Sequence, residues 1–252
     1  KLFYYIPDDF WHEVSSLQGE FWESEFEIET FNSPEKIWKA AKNSVEKSVA
    51  ISPNEKTYEQ YGVKKASDSL ISELHWLRTQ KTEYEIQCIK KANEKASNGH
   101  LKAKELFFDG ASELEIFNQY MLASGQRESE LPYNSITAFD QGTAVLHYQF
   151  HKNLGSGRTF LIDAGARYNG YCSDITRTYF REDVHETFKQ LWGLIEEAQK
   201  GQCSMVRPGT DYVDIHRKAY EDVAHALVAT KIATVSAEAL ISAKVPFSFF
   251  PH

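Results

Sequence analysis

Hydrophobic and polar positions follow two different periods along this chain, and the switch between them marks its elements. Glu25-Phe-Glu-Ile-Glu-Thr-Phe alternates cleanly, which predicts a strand within Phe21–Phe31. Leu2–Ile6 predicts a short strand, and Val49-Ala-Ile-Ser predicts a buried one. Ser33-Pro34 opens a helix through Lys42, with proline near its first turn. Leu70–Lys81 reads as a junction. Thr82 with Glu85, and Ser112 with Glu115, are Thr/Ser-x-x-Glu capping boxes that start helices. The first helix is long and amphipathic, with Tyr84, Ile86, Ile89, Ala92, Ala96, Leu101, Ala103, Leu106 and Phe107 mostly on one face and Gly110 at its end. The second runs through Ala123, and Gly125–Pro132 is polar loop. Ser135–Phe139 and Thr143–Tyr148 read as strands. Glu182–Met205, Asp211–Thr230 and the short Ser236–Ala243 read as helices. There is no internal repeat.

The composition adds limits. A length of 252 residues fits one large or two ordinary domains, and 42% hydrophobic with 25% charged residues is a globular profile. A net charge of −8 argues against nucleic acid or an anionic membrane as the main partner. No apolar run approaches the roughly 18–20 residues of a membrane span. The first residues, Lys1-Leu-Phe-Tyr-Tyr-Ile-Pro, lack the apolar core and cleavage site of a secretory signal and lack an initiator Met. Cys88, Cys172 and Cys203 form an odd, scattered set that fits reduced thiols and a cytoplasmic location. The dense aromatics Phe3, Tyr4, Tyr5, Phe10, Trp11, Phe21 and Trp22 read as core packing.

The strongest chemical signal lies in Phe160-Leu-Ile-Asp163-Ala-Gly165-Ala-Arg-Tyr-Asn169-Gly170-Tyr-Cys-Ser-Asp174-Ile-Thr176-Arg-Thr-Tyr179. Asn-Gly between strand-like runs signals a type I′ hairpin turn. With Asn169 and Gly170 at the turn, Tyr168 faces Tyr171, Asp163 faces Thr176, and Gly165 faces Asp174. Asp163 and Asp174 then lie diagonally on one face, roughly 7–8 Å apart. Close carboxylates repel, and burial raises the cost. A cation between them removes the conflict, and oxygen ligands suit manganese, magnesium or calcium. Two such carboxylates could also bridge a metal pair roughly 3.5–4 Å apart. The alternative is a surface hairpin with two solvated aspartates; apolar Phe160, Leu161 and Ile162 count against it. Soft sulfur does not suit such a site, so Cys172 is read as packing.

Upstream lie Leu131-Pro-Tyr133-Asn-Ser and Ala144-Val-Leu146-His147-Tyr148, and the sequence closes on Phe249-Phe250-Pro251-His252. Together with Asp-Ala-Gly…Asp-x-Thr-Arg-Thr, this ordered set resembles the Xaa-Pro dipeptidases (prolidases) of the pita-bread metallopeptidase family. Asp9-Phe10-Trp11-His12 and Phe21-Trp22 look like the bacterial prolidases that also hydrolyse organophosphates. The resemblance implies an α+β fold: residues 1–78 as part of an N-terminal creatinase-like α/β domain, and 79–252 as the first half of a pita-bread catalytic domain. It implies cleavage of dipeptides with C-terminal proline through metal-bound hydroxide, two divalent metal ions per subunit, most simply Mn²⁺, and a homodimer. Phosphotriester or phosphonofluoridate hydrolysis, and a non-catalytic binding protein on the same fold, are the alternatives.

By the same resemblance Asp163 and Asp174 are metal ligands, and His147 and His252 are catalytic and substrate-binding histidines. Tyr133, Leu146 and Tyr179 line the small pocket beside the metals, and Thr176 supports Asp163 by a hydrogen bond. The family's further ligands, one His and two Glu, have no counterpart here. The expectation is therefore an internal fragment of a longer enzyme, inactive by itself. Arg177 is read as structural, His151 as solvent-facing, and His216 and His225 as ordinary helix residues.

Overall fold

The computed structural model describes residues 1–11, 21–45 and 48–248, with the backbone alone at 43–45. His12 and Phe249–His252, including the candidate His252, lie outside the described residues. In chain order the elements are β1 (Leu2–Tyr5), β2 (Ile28–Phe31), α1 (Pro34–Val45), β3 (Val49–Ala50), α2 (Lys56–Tyr61), β4 (Lys64–Lys65), α3 (Asp68–Thr79) and α4 (Glu83–Asp109). There follow α5 (Glu113–Ser124), β5 (Ile136–Phe139), β6 (Thr159–Asp163), β7 (Arg167–Tyr168), β8 (Tyr171–Cys172), β9 (Thr176–Phe180), α6 (Glu186–Met205), α7 (Tyr212–Ala229) and α8 (Ala237–Ser242). Among the described residues no helix is long and apolar enough to cross a membrane.

The chain forms two compact units, Lys1–Asn93 with Arg167–Cys172, and Glu94–Ala166 with Ser173–His252. In the first, β1 pairs parallel to β2 and β3 parallel to β4. Residues 70–81, read as a junction, are mostly α3, capped by Ser67, whose hydroxyl accepts from the Leu70 N–H. Its Leu74, Trp76 and Leu77 stay exposed, so helix formation here owes more to the cap than to a buried face. Three expectations for this unit need correction. Val49 is exposed rather than buried, because β3 is only two residues long. Phe10 and Trp11, expected in a core, are 89% and 84% exposed and stack on each other edge to face. Residues 23–25 form a 3₁₀ turn, so the alternating strand shortens to Ile28–Phe31.

In the second unit β5, β6 and β9 make an antiparallel sheet in the order β5–β6–β9. Asp163 pairs with Ile136 on one side and Thr176 on the other. Alternation places Ile162 and Phe160 on the opposite face, where they pack with Phe139, Phe107 and Ala103 of α4, and Ile116 and Tyr120 of α5. A second apolar cluster joins α7 to α8 through Ala224, Leu227, Ala237 and Leu240.

Thr143–Tyr148 is not a strand. Asp140 adopts φ 46°, and its carboxylate accepts from the Arg158 and Thr159 N–H groups at 2.9 Å each. The chain turns there into a 3₁₀ segment, Asp140–Ala144, and Tyr148 N–H bonds back to the Val145 carbonyl. Residues with those bonds cannot also join a ladder.

Two glycines test this packing in opposite directions. A Cβ on Gly165 would lie 2.0 Å from the Ser173 carbonyl oxygen and 2.9 Å from both Pro132 and Tyr133. Gly193, inside α6, has open space there. Gly165→Ala is expected to destabilise by at least about 1–3 kcal/mol, and Gly193→Ala to stabilise by about 0.5–1 kcal/mol. Urea unfolding at equilibrium measures both signs.

Candidate metal centre

The type I′ turn forms as the Asn-Gly pair requires: Asn169 has φ 47° and Gly170 φ 81°. Pairing is symmetric about it. Tyr168 faces Tyr171 and Arg167 faces Cys172. Ser173 N–H bonds to the Ala166 carbonyl and Ala164 N–H to the Ile175 carbonyl. Asp163 then faces Thr176. Asparagine at the turn bonds through Nδ2 to the Tyr84 hydroxyl, and the Tyr171 hydroxyl donates to Glu85 at 2.7 Å. Glu85 is also the capping-box residue of α4, so one carboxylate holds both a helix start and the hairpin stem.

Asp163 and Asp174 converge on one group. The Tyr133 hydroxyl lies 2.9 Å from Oδ1 of each, so those oxygens are no farther apart than twice that distance. A phenol has one proton and so serves only one of them fully at a time. Asp163 is half-buried, and burial is the largest influence raising its carboxyl pKa above the ordinary range. The Asp174 charge pushes the same way, while hydrogen bonds from Tyr133 and Thr176 and the nearby His100 oppose it. The Tyr133 phenol is held far above its usual range, first by burial and then by the two carboxylates. This donor set suits a cation: acidic oxygens outnumber the available protons, and hard oxygens prefer hard divalent ions. Among the described residues no three His, Cys, Asp or Glu side chains gather to hold an ion.

The structure thus brings together Asp163, Asp174, Tyr133 and Thr176. Tyr179 does not join them. It pairs with Phe160 and stacks on it at 6.1 Å, on the sheet face opposite Asp163. Counting from Asp163's partner Thr176, Tyr179 is an odd number of residues away, which fixes the opposite face. Leu146 and His147 are exposed on the turn before Tyr148.

Four residues that sequence reasoning did not single out shape the surroundings. His100 Nε2 lies 3.0 Å from the Ala164 carbonyl. Burial holds its imidazole below the ordinary range. The Tyr120 hydroxyl donates to the Gly165 carbonyl at 2.9 Å, and Gln126 approaches the same oxygen at 3.4 Å. Glu113, 2% exposed, accepts from Phe139 N–H, the Tyr148 hydroxyl and Lys152 N–H at 2.6–2.8 Å. Its position after Ser112 in a capping box marks it as a first-turn residue, but nothing in sequence shows that it ties down residues 139–152. His151, expected to face solvent, stacks on Phe117 at 4.2 Å. The Thr137 hydroxyl donates to the Glu113 carbonyl, so it accepts from His151 Nδ1 at 2.7 Å.

Comparison with known proteins places these features. The profile of metallopeptidase family M24 matches residues 87–252. The chain belongs to metallopeptidase family M24. A profile described as Xaa-Pro dipeptidase, N-terminal domain, matches residues 1–76. An Xaa-Pro dipeptidase of Shewanella sp. (strain ANA-3) is 40% identical over 255 residues, covering 100% of this chain and 58% of that protein. The Shewanella oneidensis Xaa-Pro dipeptidase is 39% identical over the same shares. The chain therefore spans 58% of the length of these relatives. Among solved structures, an Escherichia coli aminopeptidase P variant in complex with substrate superposes with TM-score 0.64 at 21% identity, over 83% of this chain and 47% of that one. The X-Pro aminopeptidase of Thermotoga maritima gives 0.62 at 21%, over 80% and 60%. The fold is that of the pita-bread peptidases, present in part.

Two predictions follow from the Glu113 network. Tyr148→Phe leaves a buried carboxylate one donor short and is expected to cost about 1–3 kcal/mol in urea unfolding. Burial pushes the His151 imidazole below its ordinary value, with Glu113 and Glu128 opposing. The unfolded chain then binds the extra proton first, so stability is full above about pH 6.5 and is lost as pH falls below it. Asparagine keeps a donor at the Nδ1 position and tolerates the φ of 40° found there. The stability gap between wild type and His151→Asn should therefore narrow or reverse as pH falls from 7 to 5.

Proposed function

We propose that the full-length protein hydrolyses Xaa-Pro dipeptides at a divalent-metal centre that includes Asp163 and Asp174. The observation that carries this reading is the convergence of both carboxylates on the Tyr133 hydroxyl at 2.9 Å. The 40% identity to an Xaa-Pro dipeptidase along the whole chain supports the substrate class.

Two bound divalent ions, manganese by preference, would supply Lewis acidity and a water acidic enough to ionise near neutral pH. The remaining tasks fall to the chain. Asp163, at the end of β6, and Asp174, between β8 and β9, would present hard oxygen to the ions. Thr176 bonds to the Asp163 carboxylate and limits its rotation. Tyr133 holds the two carboxylates together and closes one side of the site. Leu146 and His147, exposed on their turn, would meet the substrate in this reading: the first with apolar surface for a prolyl ring, the second with a donor for the scissile carbonyl. His252 shares that donor role in this reading, whereas Tyr179 packs into the core and has none. In the same reading residues 1–78 and 79–252 belong to separate domains, and the enzyme is a cytoplasmic homodimer.

The test is Asp163→Asn in the full-length protein. Hydrolysis of Leu-Pro with Mn²⁺ should fall below detection. Metal-free thermal stability should hold or rise, because one of two repelling carboxylates is neutralised. Wild type should gain about 2.7 kcal/mol at Mn²⁺ one hundred times its Kd, and the variant far less. A full-length wild type that retains no metal and cleaves no Xaa-Pro dipeptide would instead favour a binding module on this fold.

A further inference from the structure

We infer that Tyr120 and His100 are positioning residues for the candidate metal centre, fixing from behind the strand the two peptide carbonyls that follow Asp163. The inference rests on the metal reading above and adds to it the part of the fold that sets the ligand spacing.

The regular ladder of β6 stops at Asp163. Between there and the hairpin stem the backbone must cross from the Asp163 position to that opposite Asp174. In this stretch the Ala164 carbonyl accepts from His100, and the Gly165 carbonyl accepts from Tyr120 and Gln126. Side chains thus do the work that a neighbouring strand does elsewhere. A carbonyl only accepts, so Nε2 is the protonated nitrogen of His100.

Both donors are deeply buried: His100 is 5% exposed and Tyr120 is 0% exposed. They come from different helices, α4 and α5, and meet edge to face with ring centroids 5.6 Å apart. Gly99 makes that meeting feasible, since a Cβ there would lie 2.5 Å from the Tyr120 ring. Apolar side chains would fill the same volume without desolvating a hydroxyl and an imidazole, which costs free energy unless each finds a partner. The Tyr120 hydroxyl and His100 Nε2 find theirs on the two residues directly after Asp163, while His100 Nδ1 has none among the described residues. A tilt of the 164–165 peptide would carry Asp163 with it, and metal ligands need placement within about 0.5 Å.

The experiment measures Mn²⁺ binding to metal-free full-length protein by titration calorimetry, beside thermal unfolding without metal. Tyr120→Phe keeps the ring and removes the donor. His100→Leu removes the other donor, and His100→Gln restores an amide N–H near the Nε2 position. Phe107→Leu, in the same buried cluster as Tyr120 but making no hydrogen bond to either carbonyl, supplies a general loss of stability. Tyr120→Phe and His100→Leu should weaken Mn²⁺ binding about tenfold or more, His100→Gln should recover most of it, and Phe107→Leu should keep wild-type affinity. Wild type that binds Mn²⁺ while Tyr120→Phe binds it equally well overturns this inference alone. Affinity lost in proportion to melting temperature in all variants, Phe107→Leu included, also overturns it. Wild type that takes up no Mn²⁺ overturns the metal reading and this inference with it. Should His100→Leu fail to fold, Tyr120→Phe decides.

Discussion

Asp163 stands beside Asp174 because the strands on either side of Asp174 pair in one register, symmetric about Asn169 and Gly170. Both turn residues hold positive φ, which an Asn-Gly pair accepts and a β-branched pair would not. The register is also pinned at its far end, where Phe160 and Ile162 must face the helices. A slip of one residue would exchange the faces, burying Asp163 among aromatics and presenting Ile162 to the site. Turn chemistry and core patterning therefore agree on a single alignment, and the candidate centre is a consequence of that agreement.

The electrostatics of the pair are balanced on a similar scale. Two carboxylates about 5 Å apart repel by about 1–3 kcal/mol between water-like and protein-like screening. A hydrogen bond to a charged acceptor contributes about 1.5–3 kcal/mol. One phenol proton is thus of the right magnitude to hold the two carboxylates side by side, with little left over. That balance fits the half-buried Tyr133 hydroxyl lying against both oxygens.

The hairpin and the capping boxes were legible because each depends on residues close in sequence. Thr82 with Glu85, Ser112 with Glu115, and Asn169 with Gly170 carry their structure in their own side chains. The Asp163–Thr176 pairing followed from the turn by counting. What sequence did not reveal is set by distant partners. His100 is one polar residue in a long amphipathic helix, and only the folded chain brings it to Ala164, 64 positions away. Glu113 looked like a helix-start residue, and its three donors lie 26 to 39 positions downstream. Thr143–Tyr148 reads like a strand, yet Asp140 and Gly142 turn it back on itself. Tyr179 was assigned by resemblance, and simple alternation from Thr176 already places it on the other face.

Among the described residues the second unit's sheet has three short strands, and several of its loops lack ladder partners. Their backbone groups are met instead by side chains, some buried and some, like Asp140, exposed. Glu113 accepts from residues 139 and 152, and Asp140 from 158 and 159. Arg181 donates to the carbonyls of Gly157, Phe107 and Phe108, closing the end of α4. Trp192 donates to Thr178, and His100 and Tyr120 to Ala164 and Gly165. Each bond fixes a peptide that could otherwise rotate, and the buried ones satisfy polar groups that water cannot reach. Irregular backbone pinned in this way can be as well placed as a strand. That is what a candidate site at the end of a small sheet's central strand requires, because Asp163 lies where the ladder ends and Asp174 lies just outside it.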